Sequence, residues 1–246
     1  MKLIIGIDDT DNLESRGTGF RARELGQFIT AEKLGRLRYV TRHQLYYHPD
    51  IPFTSHNSSA SLVVDQVSDR EAVRNYCAEY LLKYAADGSD AGLCVYSPDQ
   101  DVPIEAISKF ARNAKSAIVT EAEAYALAEK HGLFLQGYTG LKTGIIGALW
   151  AGGLRGEGDD GRVLWSENLR DTSGIFSAKE LKEYIDIDSI IDMNHQPIND
   201  SDMLLKGEWC RPIMLNKKVT LIVEEVQHER YKWQIAPKEY IKSITQ

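Results

Sequence analysis

The sequence predicts a mixed α/β (α+β) fold on the basis of three observations. Short runs of β-branched and apolar residues recur along the chain, beginning with residues 2–7. Longer stretches, such as residues 70–86, place their apolar side chains on one helical face. This helix lies between a strand at 61–65 and a strand at 92–96, and such a β-helix-β arrangement is typical of a ferredoxin-like unit.

The first elements follow from local signals. The isoleucine-rich residues 2–7 favour a buried strand, which must end where the acidic residues begin. A glycine-rich loop over residues 12–19 precedes a helix over residues 20–34, whose apolar residues lie close to one face. A strand over residues 37–47 follows, and two prolines mark a turn at residues 48–52.

The middle of the chain carries the clearest helix signals. Asp69 is a favourable N-cap for the helix over 70–86, and Thr120 is one for a helix over 121–130. A further helix begins at Pro103 and runs to about residue 113. A strand over residues 133–136 comes next.

The last hundred residues are less regular. A glycine-rich segment at residues 137–161 contains a short apolar helix over residues 145–151. Four later segments have strand character: residues 163–165, 212–215, 219–226 and 231–235. This β-rich part, residues 166–246, is either a reduced OB-like unit or only a cover for the core.

Composition excludes several classes of protein. The chain has 246 residues, a net charge of −7 and 43% hydrophobic residues, which suits one large or two small domains. The acidic balance argues against extensive nucleic-acid binding by the chain alone, although it does not exclude a local basic groove. The three cysteines are widely spaced, which argues against a structural zinc module and fits a reducing compartment. With no signal peptide and no apolar stretch of membrane-spanning length, we expect a cytoplasmic protein without a membrane partner.

An acidic cluster follows the first strand directly. Asp8, Asp9 and Asp11 bring three carboxylates to a strand end, where they repel one another unless a cation binds. Oxygen ligands at this density suit Mg²⁺, which is usually shared between carboxylates and nucleotide phosphates. The alternative is a solvated turn in which Asp9 or Asp11 caps the next helix.

A glycine loop follows these acids. Gly17, Thr18 and Gly19 stand just before the helix at Phe20, where free N–H groups favour a phosphate. The loop is not a Walker A sequence, because no Gly-x-x-x-x-Gly-Lys-Ser/Thr run is present. The aspartates could bind a metal ion, and the backbone N–H groups of this loop could bind phosphate. Together they predict a nucleotide-binding site.

Two further segments could carry chemistry. In the polar run at 54–59, His56, Asn57 and Ser58 could contact a substrate or phosphate, but the alternative is a surface loop that caps its own backbone. Lys142 stands before Gly144 and Gly147 at a helix start, an arrangement that suits an anion. The alternative there is close helix packing through small residues.

These segments occur in a recognisable order. Gly-Ile-Asp-Asp-Thr-Asp at 6–11, Ile-Pro-Phe-Thr-Ser at 51–55 and Gly-Ile-Ile-Gly-Ala-Leu at 144–149 resemble the tRNA-isoleucine 2-agmatinylcytidine synthetase family. The resemblance covers roughly residues 1–165 and concerns the family's N-terminal kinase-type and ferredoxin-like domains. That family uses ATP and Mg²⁺ to activate a cytidine at its C2 carbonyl and then attaches agmatine, so the resemblance implies ATP and Mg²⁺ as cofactors.

The resemblance also implies a domain division. The kinase-type part would comprise residues 1–59 and 137–165, the ferredoxin-like unit residues 60–136, and the C-terminal part residues 166–246. The family continues into an OB-fold and a zinc ribbon, whereas this chain ends at Gln246 and has no zinc-ligand cysteine pairs. We therefore expect a short, stand-alone relative.

One departure concerns the chemistry itself. Matching the Arg16-Gly17 pair to the family's first loop puts Phe20 and Arg21 where the family has two threonines, one of which it uses in phosphoryl chemistry. Thr18 lies two positions away. The family's basic residue in the second segment is replaced by His56.

Three hypotheses follow. The first is an ATP- and Mg²⁺-dependent phosphotransferase or ligase, in which Asp8, Asp9 and Asp11 hold the metal and the two glycine loops bind phosphate. Lys142 and Arg21 would neutralise the transferred group, and His56 and Asn57 would contact the acceptor, a small molecule or an RNA. The second is a non-catalytic nucleotide-binding or RNA-associated accessory protein. The third is tRNA modification with a partner that supplies the RNA-docking domains.

Overall fold

The computed structural model describes residues 1–51, 57–99, 104–113 and 115–245. The chain forms two compact units, Met1–Glu157 and Gly158–Gln246. The structure confirms the predicted mixed α/β fold class. The predicted three-part domain division and the OB-like character of its last part stay predictions.

The N-terminal unit contains an antiparallel sheet of five strands, ordered β5-β4-β1-β3-β2. The strands are β1 (Leu3–Asp8), β2 (Arg36–Gln44), β3 (Ser58–Asp65), β4 (Gly92–Tyr96) and β5 (Phe134–Gly137). Both β3 and β4 run antiparallel to β1, which lies between them, so they are parallel to each other. The helix that joins them makes this a split β-α-β arrangement, as in ferredoxin-like folds.

Five helices belong to this unit within its described residues: α1 (Thr18–Ala31), α2 (Arg70–Tyr84), α3 (Ile104–Asn113), α4 (Glu121–Lys130) and α5 (Ile145–Glu157). The predicted caps are confirmed. The Asp69 side chain accepts hydrogen bonds from the first turn of α2, and Thr120 forms a reciprocal capping box with Glu123.

The helix α5 packs directly on the central strand. A Cβ on Gly6 would lie 2.0 Å from the carbonyl oxygen of Ala148, so only glycine permits this approach. The predicted end of this helix at residue 151 was wrong, because α5 continues to Glu157. Gly152 and Gly153 do not break it, since they let Tyr96 of β4 and Ile107 of α3 pack closely against its backbone.

The C-terminal unit is a mixed sheet with two short helices among its described residues. Its strands are β6 (Arg162–Trp165), β7 (Gly174–Ser177), β8 (Ser189–Asp192), β9 (Met203–Lys206), β10 (Ile213–Leu215), β11 (Lys218–Glu225) and β12 (Trp233–Ile235). Their order is β6-β10-β11-β12-β9-β7, and β8 pairs in parallel with β11. The helices are α6 (Ala178–Tyr184) and α7 (Lys238–Ser243).

Within the described ranges, no helix has both the length and the apolar character that a membrane crossing requires.

Candidate functional site

A cavity of about 510 Å³ opens in the N-terminal unit where β1 ends against the start of α5. One end is polar and is lined by Asp8, Asp9 and Asp11 together with Thr18, Thr143, Gly144 and Gly147. The rest of the wall combines apolar side chains with polar ones. The apolar side chains include Leu45, Ile51, Val119, Ile146 and Trp150, and the polar ones are Asp50, Asn57, Ser58, Thr120 and Glu121. A volume of this size is typical of small-molecule sites.

The two carboxylates at the end of β1 are poorly solvated. Burial raises the pKa of Asp8 to about 8, and the neighbouring charges of Asp9 and Asp11 contribute to that rise. Burial also raises the pKa of Asp9 to about 6, with contributions from the charges of Asp90 and Asp11. Both shifts mean that the site favours the addition of positive charge.

Gly147 makes room for the first of these carboxylates. A Cβ on Gly147 would lie 1.7 Å from Oδ2 of Asp8, a distance that no pair of non-bonded atoms can hold. The absence of a side chain at this position therefore lets Asp8 lie directly against the first turn of α5.

Asp11 is tied to the start of α1. Its Oδ1 accepts hydrogen bonds from the backbone N–H of Thr18 (3.1 Å) and from the Thr18 hydroxyl (2.7 Å). The same hydroxyl accepts hydrogen bonds from the backbone N–H and hydroxyl of Thr10. One oxygen of Asp11 therefore caps the start of α1, as the alternative to a metal site predicted, although the residue also lines the cavity.

Asp90 organises the loop that leads into α5. Its Oδ1 accepts a hydrogen bond from the Leu141 N–H, its Oδ2 accepts one from the Thr143 hydroxyl (3.1 Å), and its carbonyl oxygen accepts one from the Gly144 N–H (3.0 Å). Asp90 also lies close enough to Asp9 for its charge to raise the pKa of that carboxyl. One residue therefore links the acidic end of β1 to the loop before α5.

Eight predicted site residues line the cavity: Asp8, Asp9, Asp11, Thr18, Asn57, Ser58, Gly144 and Gly147. Asn57 also has structural hydrogen bonds, because its Nδ2 donates to the Tyr46 carbonyl and its own carbonyl accepts from Gln44 and Leu45. His56 lies outside the described residues.

Four predicted residues are not among the cavity lining: Gly17, Gly19, Arg21 and Lys142. Lys142 is exposed and has a positive φ of 70°. Arg21 forms a salt bridge with Glu24 (3.1 Å), which also accepts a hydrogen bond from the Tyr80 hydroxyl. The catalytic roles predicted for Arg21 and Lys142 stay predictions.

The positions that replace the threonine pair form a cation–π cluster. Phe20 has three guanidinium groups around its ring, with Arg16 at 4.4 Å, Arg23 at 5.7 Å and Arg21 at 5.8 Å from its centroid. This part of α1 therefore carries basic and aromatic side chains at the two positions that the sequence comparison matches to the family's threonines.

Sequence reasoning missed several residues of this site. Asp90 and Trp150 were not singled out, and Asp50 and Glu121 add further carboxylates to the cavity wall. Trp150 lay within the predicted apolar helix, but the sequence of that helix does not show which of its faces lines the cavity. Asp90 is a single aspartate before a strand, and nothing in the sequence around it indicated a functional role.

The acidic end is not a complete metal cage. Among the described residues, no group of three or more histidine, cysteine, aspartate or glutamate side chains is arranged to hold a metal ion. A cation bound there would need further oxygen ligands besides these carboxylates.

Comparison with known proteins identifies proteins that are similar to this chain. A 194-residue match at 28% identity covers 71% of this chain and 42% of TiaS of Cenarchaeum symbiosum, a 2-agmatinylcytidine synthetase for an isoleucine tRNA. The chain resembles TiaS. An uncharacterized protein of Methanocaldococcus jannaschii is 32% identical over 154 residues, which cover 62% of this chain and 50% of that protein. No family model matches the chain.

The fold comparison agrees with the sequence comparison. The crystal structure of TiaS in complex with its isoleucine tRNA and ATP aligns with a TM-score of 0.55 at 24% identity, over 62% of this chain and 36% of TiaS. The chain spans about half or less of the curated relatives that it matches. The comparison therefore confirms the resemblance to TiaS and its fold, while the activity of the longer protein is not carried over by it.

Proposed function

We propose that the cavity binds ATP together with Mg²⁺ and that the chain is a phosphotransferase or ligase related to TiaS. The observation that carries the proposal is the meeting of Asp8 and Asp9 with the first turn of α5 in one cavity. The relationship to a synthetase that has been crystallised with ATP supports the choice of nucleotide. The acceptor is a small molecule or an RNA.

The carboxylates of the cavity fit a Mg²⁺ ion that is bound together with the phosphates of a nucleotide. The raised pKa values of Asp8 and Asp9 mark two carboxylates that lack a compensating positive charge. Mg²⁺ is commonly held by one or two carboxylates, with phosphate oxygens and waters completing its octahedron. This form agrees with the absence of a three-ligand cage among the described residues. When bound, the ion would neutralise charge on the triphosphate.

The residues around the ion would position the phosphates. Gly144 and Gly147 let Asp9 and Asp8 lie close to the start of α5, where the helix dipole favours negative charge, so phosphates bound there would share the ion with these carboxylates. The Thr143 hydroxyl, held by Asp90, lies at the same end of the cavity. The apolar wall around Trp150 would exclude water from the group being transferred.

Calorimetric titration with ATP, with and without Mg²⁺, tests this proposal. For the wild type we expect a large gain in ATP affinity when Mg²⁺ replaces EDTA. The Asp8→Asn/Asp9→Asn variant should lose that gain, while its affinity in EDTA stays equal or rises because negative charge has been removed. Glu14→Gln removes an exposed carboxylate on the following loop and serves as the matched control. No ATP binding by the wild type, or the same Mg²⁺ gain in the double variant, refutes the proposal.

The replacement of the threonine pair favours a second candidate, a nucleotide-binding or RNA-associated accessory protein without catalysis. Here Mg²⁺-dependent ATP binding is retained, but no ADP, AMP or phosphate is released over small-molecule or tRNA acceptors. Release that disappears in Asp8→Asn contradicts this candidate and supports the enzyme.

The third candidate is tRNA modification together with a partner that supplies RNA-docking domains. The relationship to TiaS favours it, whereas the net charge of −7 argues against tight tRNA binding by the chain alone. A gel shift at low salt tests this: tight, salt-sensitive binding by the isolated chain would show that no docking partner is needed.

A further inference from the structure

A second group of charged side chains lies in the C-terminal unit. We define the basic cluster as Arg162, Arg170, Lys206 and Arg211, two of which belong to strands β6 and β9. Lys206 is fully buried, Arg162 and Arg211 are half-buried, and Arg170 is exposed.

Backbone contacts place these residues on adjoining segments. In the β6–β10 pair Arg162 stands opposite Ile213, and the Val163 N–H donates a hydrogen bond of 2.7 Å to the Pro212 carbonyl. Arg211 directly precedes this proline. The side chain of Arg170 returns to β6, where its Nη1 lies 3.4 Å from the Leu164 carbonyl.

Lys206 joins the same region from β9. Its Nζ donates a hydrogen bond to the carbonyl of Thr172, two residues beyond Arg170. The other acceptors that these side chains reach are also backbone carbonyls, including that of Cys210, which accepts from Arg211 Nη1 at 2.7 Å. Across the described ranges, none of the four cations forms a salt bridge.

The electrostatics of the cluster are unfavourable without a counter-ion. Burial lowers the pKa of Arg162, Lys206 and Arg211. Arg170 and Arg162 lower the pKa of Arg211 further, and Arg211 does the same to Lys206. Cys210 opposes this for both Lys206 and Arg211, and the charge of Asp171 opposes it for Lys206, but the pKa of each cation is still lowered. Arg170, Lys206 and Arg211 reach backbone carbonyls, and Arg211 also lies 5.9 Å from the Trp209 ring, but none of these partners carries a negative charge. In a chain that is acidic as a whole, this cluster of cations calls for an anion.

We propose that the basic cluster is a binding site for a phosphate group. The exposed Arg170 and the half-buried Arg211 would contact its oxygens, and the buried Lys206 would contribute positive charge to the site. Guanidinium groups match phosphate oxygens with two parallel hydrogen bonds, and a phosphate group offers enough acceptors for several donors at once. The phosphate belongs either to a nucleic-acid backbone or to a phosphorylated small molecule. The site lies in the C-terminal unit and does not depend on ATP binding in the N-terminal unit.

Binding measurements on the full chain test this proposal. Inorganic phosphate is titrated by calorimetry against a chloride solution of equal ionic strength, and a fluorescently labelled RNA oligonucleotide is titrated by anisotropy. Arg170→Gln removes an exposed member of the cluster, and Arg211→Gln removes a half-buried one. Lys179→Gln removes an exposed cation from the same unit and is the matched control.

We expect the wild type to bind phosphate, and each arginine variant to lose about tenfold or more in affinity, as expected for a lost charged hydrogen bond. RNA binding that is much tighter than phosphate binding and equally sensitive to Arg170→Gln identifies the nucleic-acid backbone as the source. Phosphate binding without RNA binding identifies a phosphorylated small molecule. Three results would overturn the proposal. The wild type could fail to bind phosphate, it could bind glutamate, titrated in the same way, as tightly as phosphate, or Lys179→Gln could lose as much affinity as the arginine variants. Arg170 is exposed, so its variant remains informative if Arg211→Gln does not fold.

Discussion

The stability of the metal-free chain should fall as the pH rises, because of one carboxylate. Asp8 has an unfolded pKa of 3.8 and a folded pKa of about 8. Between these values the folded state holds a proton that the unfolded state has released. The proton stabilises the fold fully below the lower value, and this contribution is lost as the pH rises through the higher one. Replacing Asp8 by asparagine should remove the dependence.

The size of the effect follows from the same two pKa values. Each pH unit between them changes the free energy of unfolding by about 1.4 kcal/mol. Near the folded pKa this slope becomes smaller. Between pH 6.5 and 8 we therefore expect the free energy of unfolding of the wild type to fall by about 1.5 kcal/mol more than that of Asp8→Asn. This window lies above the pKa of about 6 of Asp9, so that residue contributes little to the difference.

Urea denaturation in EDTA at several pH values measures this difference directly. Glu14→Gln, which removes an exposed carboxylate nearby, should keep the wild-type slope. Parallel stability–pH curves for the wild type and Asp8→Asn would show that the carboxylate is well solvated and would refute the reasoning.

Three further outcomes are expected. Gly147→Ala should lower the free energy of unfolding by about 1–3 kcal/mol, because its Cβ would meet Asp8 Oδ2, whereas Gly207→Ala has no atom within 4 Å to meet; chemical denaturation compares the two. On the proposed function, Asp90→Ala should weaken Mg-ATP binding about tenfold through loss of charged hydrogen bonds that hold the loop before α5, and Asp90→Asn should restore part of that affinity in calorimetric titration. Thr120→Ala should cost about 1 kcal/mol through loss of the α4 capping box, and an unchanged melting temperature would contradict this.

Elements with strong local signals were predictable from the sequence. The bounds of β4 and α4 agree with the prediction, because an apolar run marks the strand and a capping threonine marks the helix start. The short strands β7, β8 and β9 were missed, since runs of four residues have no measurable period. The helix α6 was also missed, although Ser177 and Glu180 form a capping box at its start.

The candidate site was predictable only in part. The acids after β1 and the glycines of α5 were identified because their residue types are informative on their own. Asp90 could not be identified, because its importance lies in contacts with a loop about fifty residues later in the chain. Arg21 is not part of the cavity lining and pairs with Glu24 on α1, a partner that residue types alone do not select.

The central position of β1 has a consequence for synthesis. This strand leaves the ribosome well before its neighbours β3 and β4, which begin only at Ser58 and Gly92. At a translation rate of about 5–20 residues per second, its two edges stay unpaired for on the order of 3–20 s. Its isoleucine-rich face is exposed to other nascent chains during that time. The segment that carries the acidic residues therefore takes its place in the sheet only after both of its neighbours have been synthesised.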